Sequence, residues 1–352
     1  MTRSCLIHAL GWLLGALFIF SGATKSIDPV GTSIFVDKYL VTYGLEPLMP
    51  AALALGVAVA VVEVAVGVML IGGVMRRMVA LLSFVMMALF TVVTLLSATV
   101  LPIGDCGCFG EVVSLTPWGT FLKNLVILPI TFFVWRCAER RAFSRRDAVI
   151  TAVAILLPLG VNLYALRHQP LVDLMPYKVG TDLREAVARE RDAEDVRSVL
   201  RFRNIVTGAV EEFAAEDAEC WLREDLEYVD VRTERVVKEN DNYADFVLYN
   251  AYGEDVTDDV LARSGRVAWL TIYDSSAITS EHREAIGRLY AAYPASAVVV
   301  LTADKEMEIP EVEGSEVYGV DAMTLRSINR ANVGVVVLRD GVVEFKADIR
   351  DI

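Results

Sequence analysis

Hydrophobic residues fill the first half of this chain in long, nearly unbroken stretches, and give way to shorter patterned runs in the second. Crossing a bilayer as a helix takes roughly 17–25 apolar residues. Five stretches meet that length: about Cys5 to Ala23, Met49 to Gly73, Met78 to Leu101, Trp118 to Cys137 and Ala148 to Leu166. In lipid each must satisfy its own backbone groups, so each predicts a helix. Between the first two, Ile34, Phe35, Tyr39, Leu40 and Tyr43 recur at helical spacing. They predict a short interfacial helix within 24–48 that caps the bundle.

Past Arg167 the pattern changes. Pro170 and Pro176 mark a linker, and residues 197–213 read as two strands around a turn from Asn204 to Gly208. Residues 218–240 are charged and mixed and predict no clear element. Phe246 to Tyr249 reads as a short strand, Val267 to Ile272 and Ala297 to Leu301 as buried strands, and Ser280 to Tyr293 and Ala322 to Asn329 as helices. Val333 to Leu338 and Val342 to Phe345 form a hairpin through Asp340-Gly341. That order is α/β. The expected fold is therefore a membrane α-helical bundle of about five helices plus a soluble α/β domain. Its divisions are a bundle over 1–137, a fifth transmembrane helix over 138–166, a linker and small β-containing region over 167–245, and the α/β domain over 246–352.

Charge divides the chain in the same place. Residues 1–166 hold 11 Lys and Arg against 8 Asp and Glu, whereas the remainder holds 22 against 38. So acidic a second half, with no basic cluster, excludes nucleic acid as its partner. Arg3, Arg76, Arg77, Arg136, Arg140, Arg141, Arg145 and Arg146 all fall at one end of the predicted bundle; the loops of the other end carry only Lys25 and Lys38. Basic residues stay on the cytoplasmic side. The N-terminus is then cytoplasmic, and loops 24–48 and 102–117 and the α/β domain face outward. Arg3, the apolar run after it and Ser21-Gly22-Ala23 also fit a cleavable signal peptide, which would leave the downstream orientation unchanged.

Candidate chemistry is concentrated in the outward loop Asp105-Cys106-Gly107-Cys108-Phe109-Gly110. Two cysteines one residue apart in an oxidising compartment invite a disulfide. Such a bridge needs a restricted backbone, and Gly107 widens the choice of shapes. So small a ring gains little stability from closure, and strain would make it reducible, so a reversible redox pair is the stronger reading against two packed thiols. The pair offers only half a zinc shell, and His8, His168 and His282 lie elsewhere, so no metal site is expected, and no nucleotide motif is present. Cys5, Cys137 and Cys220 are isolated. Ionisable residues inside spans are functional candidates by default. Glu63 falls near mid-membrane and Lys123 roughly 8 Å below the outer face, a depth difference of about 12 Å that strains direct pairing. Lys123 can instead reach up beneath the cysteine loop, where an ammonium favours the reactive thiolate. Glu63 is suited either to carry a proton or to lock the bundle through Asn124, Thr24 or Ser21.

Four features together resemble the DoxX/MauE-like membrane family: Phe20-Ser21-Gly22-Ala23-Thr24-Lys25, Glu63, the loop Asp105 to Gly110, and Lys123-Asn124. The resemblance covers about residues 1–137. It implies a four-helix core similar to quinone-linked, disulfide-generating bundles of the vitamin K epoxide reductase type. MauE-type proteins are implicated in disulfide formation during maturation of an exported methylamine dehydrogenase; some DoxX proteins are linked to quinol oxidase assemblies or oxidative-stress complexes. The whole chain resembles DoxX proteins of Bacteroidetes with a C-terminal extension, here similar to a thioredoxin-like domain. That domain departs from the pattern. Tyr273-Asp274-Ser275-Ser276 stands where a CxxC is expected, and Asn332-Val333-Gly334 where thioredoxins carry a cis-proline.

The expectation is thus an inner-membrane thiol–disulfide redox protein with a periplasmic C-terminal domain. Cys106 and Cys108 would react, Glu63, Lys123, Asn124 and Asp105 would support them, and quinone would be the cofactor. The partners would be membrane lipid and an exported thioredoxin-like or Cys-containing protein. The alternative is a non-enzymatic assembly factor whose degenerate domain binds an envelope partner. A transporter is disfavoured by the scarcity of intramembrane polar groups and the absence of a repeated half.

Overall fold

The computed structural model describes all residues except 1–2, 75, 101–106, 112–114, 141, 174–175, 193–195, 206, 215–219, 222, 224, 236–242, 244–245 and 305–313. The chain forms two compact units, one of residues 1–181 with 247–352 and the other of 182–246.

In the first unit, five helices among the described residues are long and apolar enough to cross a membrane. They are α1 (Arg3–Ile27), α3 (Ala52–Gly72), α4 (Arg76–Thr99), α5 (Pro117–Cys137) and α6 (Arg145–Arg167). Each falls where a hydrophobic stretch predicts it. The first runs one turn further than expected, through Lys25, before Asp28 and Pro29 stop it. Asp28 then caps the short helix α2 (Pro29–Thr42) by accepting from the Gly31 N–H at 2.7 Å, with Pro29 in the first turn where no N–H is needed. This is the helix that the spacing of Ile34, Phe35, Tyr39, Leu40 and Tyr43 predicts. Thr116 and Ser144 cap α5 and α6 in the same way.

Helices α1 and α3 approach very closely. A Cβ on Gly67 would lie 2.6 Å from the Gly15 carbonyl oxygen, and one on Gly22 would lie 2.6 Å from that of Ala60. Lipid tails are as apolar as leucine, so helices in a membrane gain little from burying apolar surface against each other; small residues that let backbones meet supply the packing instead.

The C-terminal part of this unit is an α/β layer. Its five-stranded sheet runs β7 (Glu316–Gly319), β6 (Val298–Thr302), β5 (Arg266–Ile272), β8 (Val333–Arg339), β9 (Val342–Asp348). Strands β5, β6 and β7 are parallel, and β8 and β9 are antiparallel to their neighbours. β6 is buried throughout, and β5 and β8 all but one residue each, which is why they read as continuous apolar runs. One face packs Leu270, Ile272, Val298, Val300 and Val335 against Ala285, Ile286 and Leu289 of α9 (Ser280–Ala292). Asp340 and Gly341 both have positive φ, 50° and 86°, the primed turn that joins twisted strands in two residues. Helices α8 (Thr257–Leu261) and α10 (Ala322–Ile328) complete the layer.

Two expectations fail here. Phe246 to Tyr249 is no strand: Tyr249 makes only isolated bridges to Asp255 and Gly319. The side chain of Asn250 accepts from the Tyr252 and Glu254 N–H groups and turns the chain back before a ladder can extend. Conversely β7, not foreseen, occupies the sheet edge, where polar residues disguise a strand.

The second unit holds α7 (Leu183–Asp192) and a three-stranded antiparallel sheet, β3 (Val210–Ala214), β2 (Val196–Asn204), β4 (Leu226–Arg235). The first two strands match the expected pair, and β4 lies inside the region that predicted no element. Its residues Glu227 to Val231 are all exposed, while Leu200, Phe202 and Cys220 form the buried cluster of this unit.

Two outcomes follow. Gly67→Leu is expected to force α1 and α3 apart and lower stability by about 1–3 kcal/mol, read as a reduced unfolding midpoint of the detergent-solubilised chain. At the start of α9, the His282 Nδ1 accepts from the Thr279 N–H at 3.1 Å, so the cap requires an unprotonated nitrogen. Burial, helped by the nearby Arg350 guanidinium, pushes the His282 pKa below its ordinary value. The folded state then binds fewer protons than the unfolded one, and stability should decline as pH falls through the ordinary histidine range. His282→Gln, which keeps the cap, should flatten that decline in thermal unfolding between neutral and mildly acidic pH.

Candidate functional site

Extending α1 by one turn places Ser21 and Lys25 four residues apart on one helix face, directed at α3. There the Lys25 Nζ meets the Glu63 carboxylate, at 3.0 Å from Oε2 and 3.3 Å from Oε1. Both residues are buried, at 7% and 1% exposure. A buried ion pair is tolerable only when its remaining valences are also met. Here they are: the same ammonium donates to Ser21 Oγ at 2.9 Å and to the Cys108 carbonyl at 2.5 Å. The Ser21 hydroxyl donates to that carbonyl as well, at 2.8 Å.

Cys108 opens the short strand β1 (Cys108–Glu111), which returns along α1. Gly107 has φ 61°, and a Cβ there would lie 2.5 Å from the Phe35 ring of α2. The Gly110 N–H donates to the Gly107 carbonyl at 3.0 Å, closing a turn around Cys108-Phe109. The loop is therefore held from two sides, by the Lys25 ammonium and by an aromatic plate that only glycine can approach. Cys106 and Asp105 lie outside the described residues.

Beneath this loop is a cavity of about 220 Å³. Leu17, Phe18, Phe35, Tyr39, Val59 and Phe90 contribute apolar walls. Cys108, Ser21, Lys25, Glu63, Thr94, Lys123 and Asn124 supply its polar lining. Of the residues singled out in the sequence, Cys108, Glu63, Lys123 and Asn124 thus meet at one cavity. The carboxylate of Glu63 is not held by Asn124, Thr24 or Ser21. Asn124 donates instead to Thr94 Oγ1 at 3.3 Å and ties α5 to α4, and Thr24 bonds the Ser21 carbonyl within α1. Lys25 is the partner, closer to Glu63 than Lys123 could be by depth. Counting Lys25 as a loop residue hid it; the signal was its spacing from Ser21.

A second set of residues had no sequence signal. Arg330 donates to Asp28 Oδ2 from Nε at 2.8 Å, and both side chains are buried. Arg326 donates to Asp37 Oδ2 at 2.7 Å and also bonds Ser33 Oγ. These contacts seat the α/β layer on α2. Gly31 is required beside them, since a Cβ there would fall 2.8 Å from the Arg330 guanidinium. Helix α2 thus gives one face to the cavity, through Thr32, Phe35, Val36 and Tyr39, and its acidic face to α10 and the loop after it. In the α/β layer, Asn332 exchanges two hydrogen bonds with the backbone of Asp274, at 2.8 and 2.7 Å, across the turn Tyr273 to Ser276.

The other cysteines stand apart. Cys220 is buried with Leu200 and Phe202 in the smaller unit. Cys137 is half-buried at the end of α5 remote from Cys108. The side chain of Cys5 lies outside the described residues. Among the described residues, no three His, Cys, Asp or Glu side chains gather as a metal site.

Residues 3–136 match the family model described as methylamine utilisation protein MauE. The match takes in α1 to α5 and ends before α6 and the α/β layer. No curated protein and no solved structure matches the chain.

Lys25→Met is expected to strand the Glu63 carboxylate and destabilise the bundle by about 3–5 kcal/mol, whereas Lys25→Met with Glu63→Gln should recover much of that loss. Unfolding midpoints of the three proteins in one detergent would measure it; equal midpoints for wild type and Lys25→Met would refute the buried-pair account.

Proposed function

With a MauE-type membrane region over residues 3–136 as the premise, we propose that the chain is a membrane thiol–disulfide redox protein working at the outer face. The observation that carries the reading is the cavity that brings the Cys108 loop together with Lys25, Glu63, Lys123 and Asn124. In the proposed reaction a thiolate of an exported dithiol partner attacks one sulfur of a Cys106–Cys108 disulfide. The loop S–S bond breaks and a mixed disulfide forms. The second partner thiolate then resolves it, leaving the partner oxidised and the loop as two thiols. Two electrons and two protons have moved to the loop.

The cavity fits a quinone by chemistry: an apolar slot with N–H donors from Lys123 and Asn124 on its polar side. A quinone bound there supplies the two-electron, two-proton sink that returns the loop to the disulfide. Lys25 holds the Cys108 carbonyl and so fixes the loop over the cavity. The Lys123 ammonium, on the lining of the same cavity, favours thiolate at the loop. Glu63 holds Lys25 in place and offers a carboxylate to which a proton can pass. The orientation follows from the arginines at the opposite end of the bundle: N-terminus in the cytoplasm, α/β layer in the periplasm of a bacterial inner membrane.

The strand order of the α/β layer supports a thioredoxin-like ancestry, with two parallel strands joined through α9 and an antiparallel hairpin beside them. No cysteine stands at Tyr273 to Ser276. The layer is then a fixed docking element rather than a second redox centre. The two arginine contacts to α2 favour a second reading, in which the bundle only anchors that element for an assembly partner.

Thiol trapping decides between them. Membranes with Cys5, Cys137 and Cys220 replaced by serine are acid-quenched and alkylated with a heavy maleimide, with and without reduction. The expected result is a Cys106–Cys108 disulfide that a dithiol protein reduces and quinone restores. Lys25→Met should slow restoration by about ten-fold or more, the scale of one lost charge-assisted hydrogen bond. A pair that stays in one state with every donor and quinone sinks the redox reading and leaves the anchored docking element.

A further inference from the structure

The end of the bundle remote from the cysteine loop contains a larger cavity, of about 610 Å³. All five membrane helices reach it: α1 through His8 and Trp12, α3 through Leu70 and Ile71, and α4, α5 and α6 through Arg76, Arg136 and Arg146. Three guanidiniums from three helices therefore share one space, with Glu139 as the carboxylate on its wall. Among the described residues, no side chain pairs with any of these three guanidiniums; Arg76 is half-buried, and Arg136 and Arg146 are exposed. Three guanidiniums that line one cavity repel one another, and an anion among them relieves that repulsion. The guanidinium fork matches the oxygens of a phosphate in two parallel bonds. Beside the arginines, Ile7, Leu70, Ile71 and Val134 continue the cavity as apolar wall, and Trp12 is 61% exposed on the same helix face as the cavity mouth. An apolar wall next to a cationic pocket suits a molecule that is a phosphate ester at one end and hydrocarbon at the other.

We propose that this cavity binds the phosphate of an anionic phospholipid, with Arg76, Arg136 and Arg146 on the headgroup and the apolar wall along the upper acyl chain. The site is separate from the cysteine loop and does not depend on the redox reading. The plainer account is that arginines at this end only set the orientation of the helices. Arg77 and Arg145 separate the two accounts, because they sit at the same end and do not line the cavity.

The full-length protein would be reconstituted in phosphatidylcholine nanodiscs doped with phosphatidylglycerol, transferred to detergent, and weighed by native mass spectrometry. Wild type and Arg77→Gln/Arg145→Gln are expected to retain phosphatidylglycerol. Arg136→Gln/Arg146→Gln should retain about ten-fold less or lower still, and no form should retain phosphatidylcholine. If that double variant does not fold, as judged by its elution from a sizing column, single Arg76→Gln measured the same way carries the test. Equal loss in both double variants would mean diffuse surface electrostatics and overturns the site. Retention of radiolabelled inorganic phosphate without any lipid would assign the pocket to a free anion and overturn the lipid.

Discussion

The ion pair between Lys25 and Glu63 ties α1, α3 and the Cys108 loop together at one end of the bundle. Its cost in a lipid environment is high, and the pair exists because three conditions meet. Helices α1 and α3 touch backbone to backbone at Gly15, Gly22 and Gly67, so the two side chains can reach each other. The ammonium finds acceptors for its other protons in Ser21 and Cys108. Both residues are buried, so the attraction is weakly screened. Loss of either of the first two conditions would leave a charge or a donor unmet. The carbonyl of Cys108 is one of those acceptors, so a residue of the loop is part of the ion pair's solvation. Loop position and bundle packing are thereby a single problem.

Helix α2 extends this constraint outward. It is short and amphipathic, yet neither of its faces is given to solvent alone. Aromatic residues close the cavity and brace Gly107, while Asp28, Ser33 and Asp37 receive two arginines from the α/β layer. A displacement of the layer would therefore act on the cavity wall through one helix. In the layer itself the central strands are almost wholly buried, and Asn332 holds the turn at Asp274 by two hydrogen bonds.

Much of this was legible in the residues. Spans, the short helix after the first span, the hairpin and the α/β order follow from local pattern, because burial in lipid or in a sheet core dictates apolar runs whatever the neighbours. The loop Gly107-Cys108, Glu63, Lys123 and Asn124 were visible as costly or reactive residues in apolar surroundings. What escaped were elements whose pattern is not local. β7 and β4 are polar edge or half-exposed strands, recognisable only beside their partners. Lys25 sat two residues past the expected end of α1, where charge suggests water.

The sequence by itself determined that the chain enters a membrane with five helices, carries an acidic α/β layer, and presents two cysteines in a glycine-containing loop, since each depends on residue type and spacing along the chain. Only the tertiary structure decided the partners: Lys25 for Glu63 across 38 residues, Arg326 for Asp37 across 289, and Arg330 for Asp28 across 302. A charge states that it needs a counter-charge. Which one it obtains depends on how closely backbones can pack, and that is set by contacts between helices rather than by the order of residues within one.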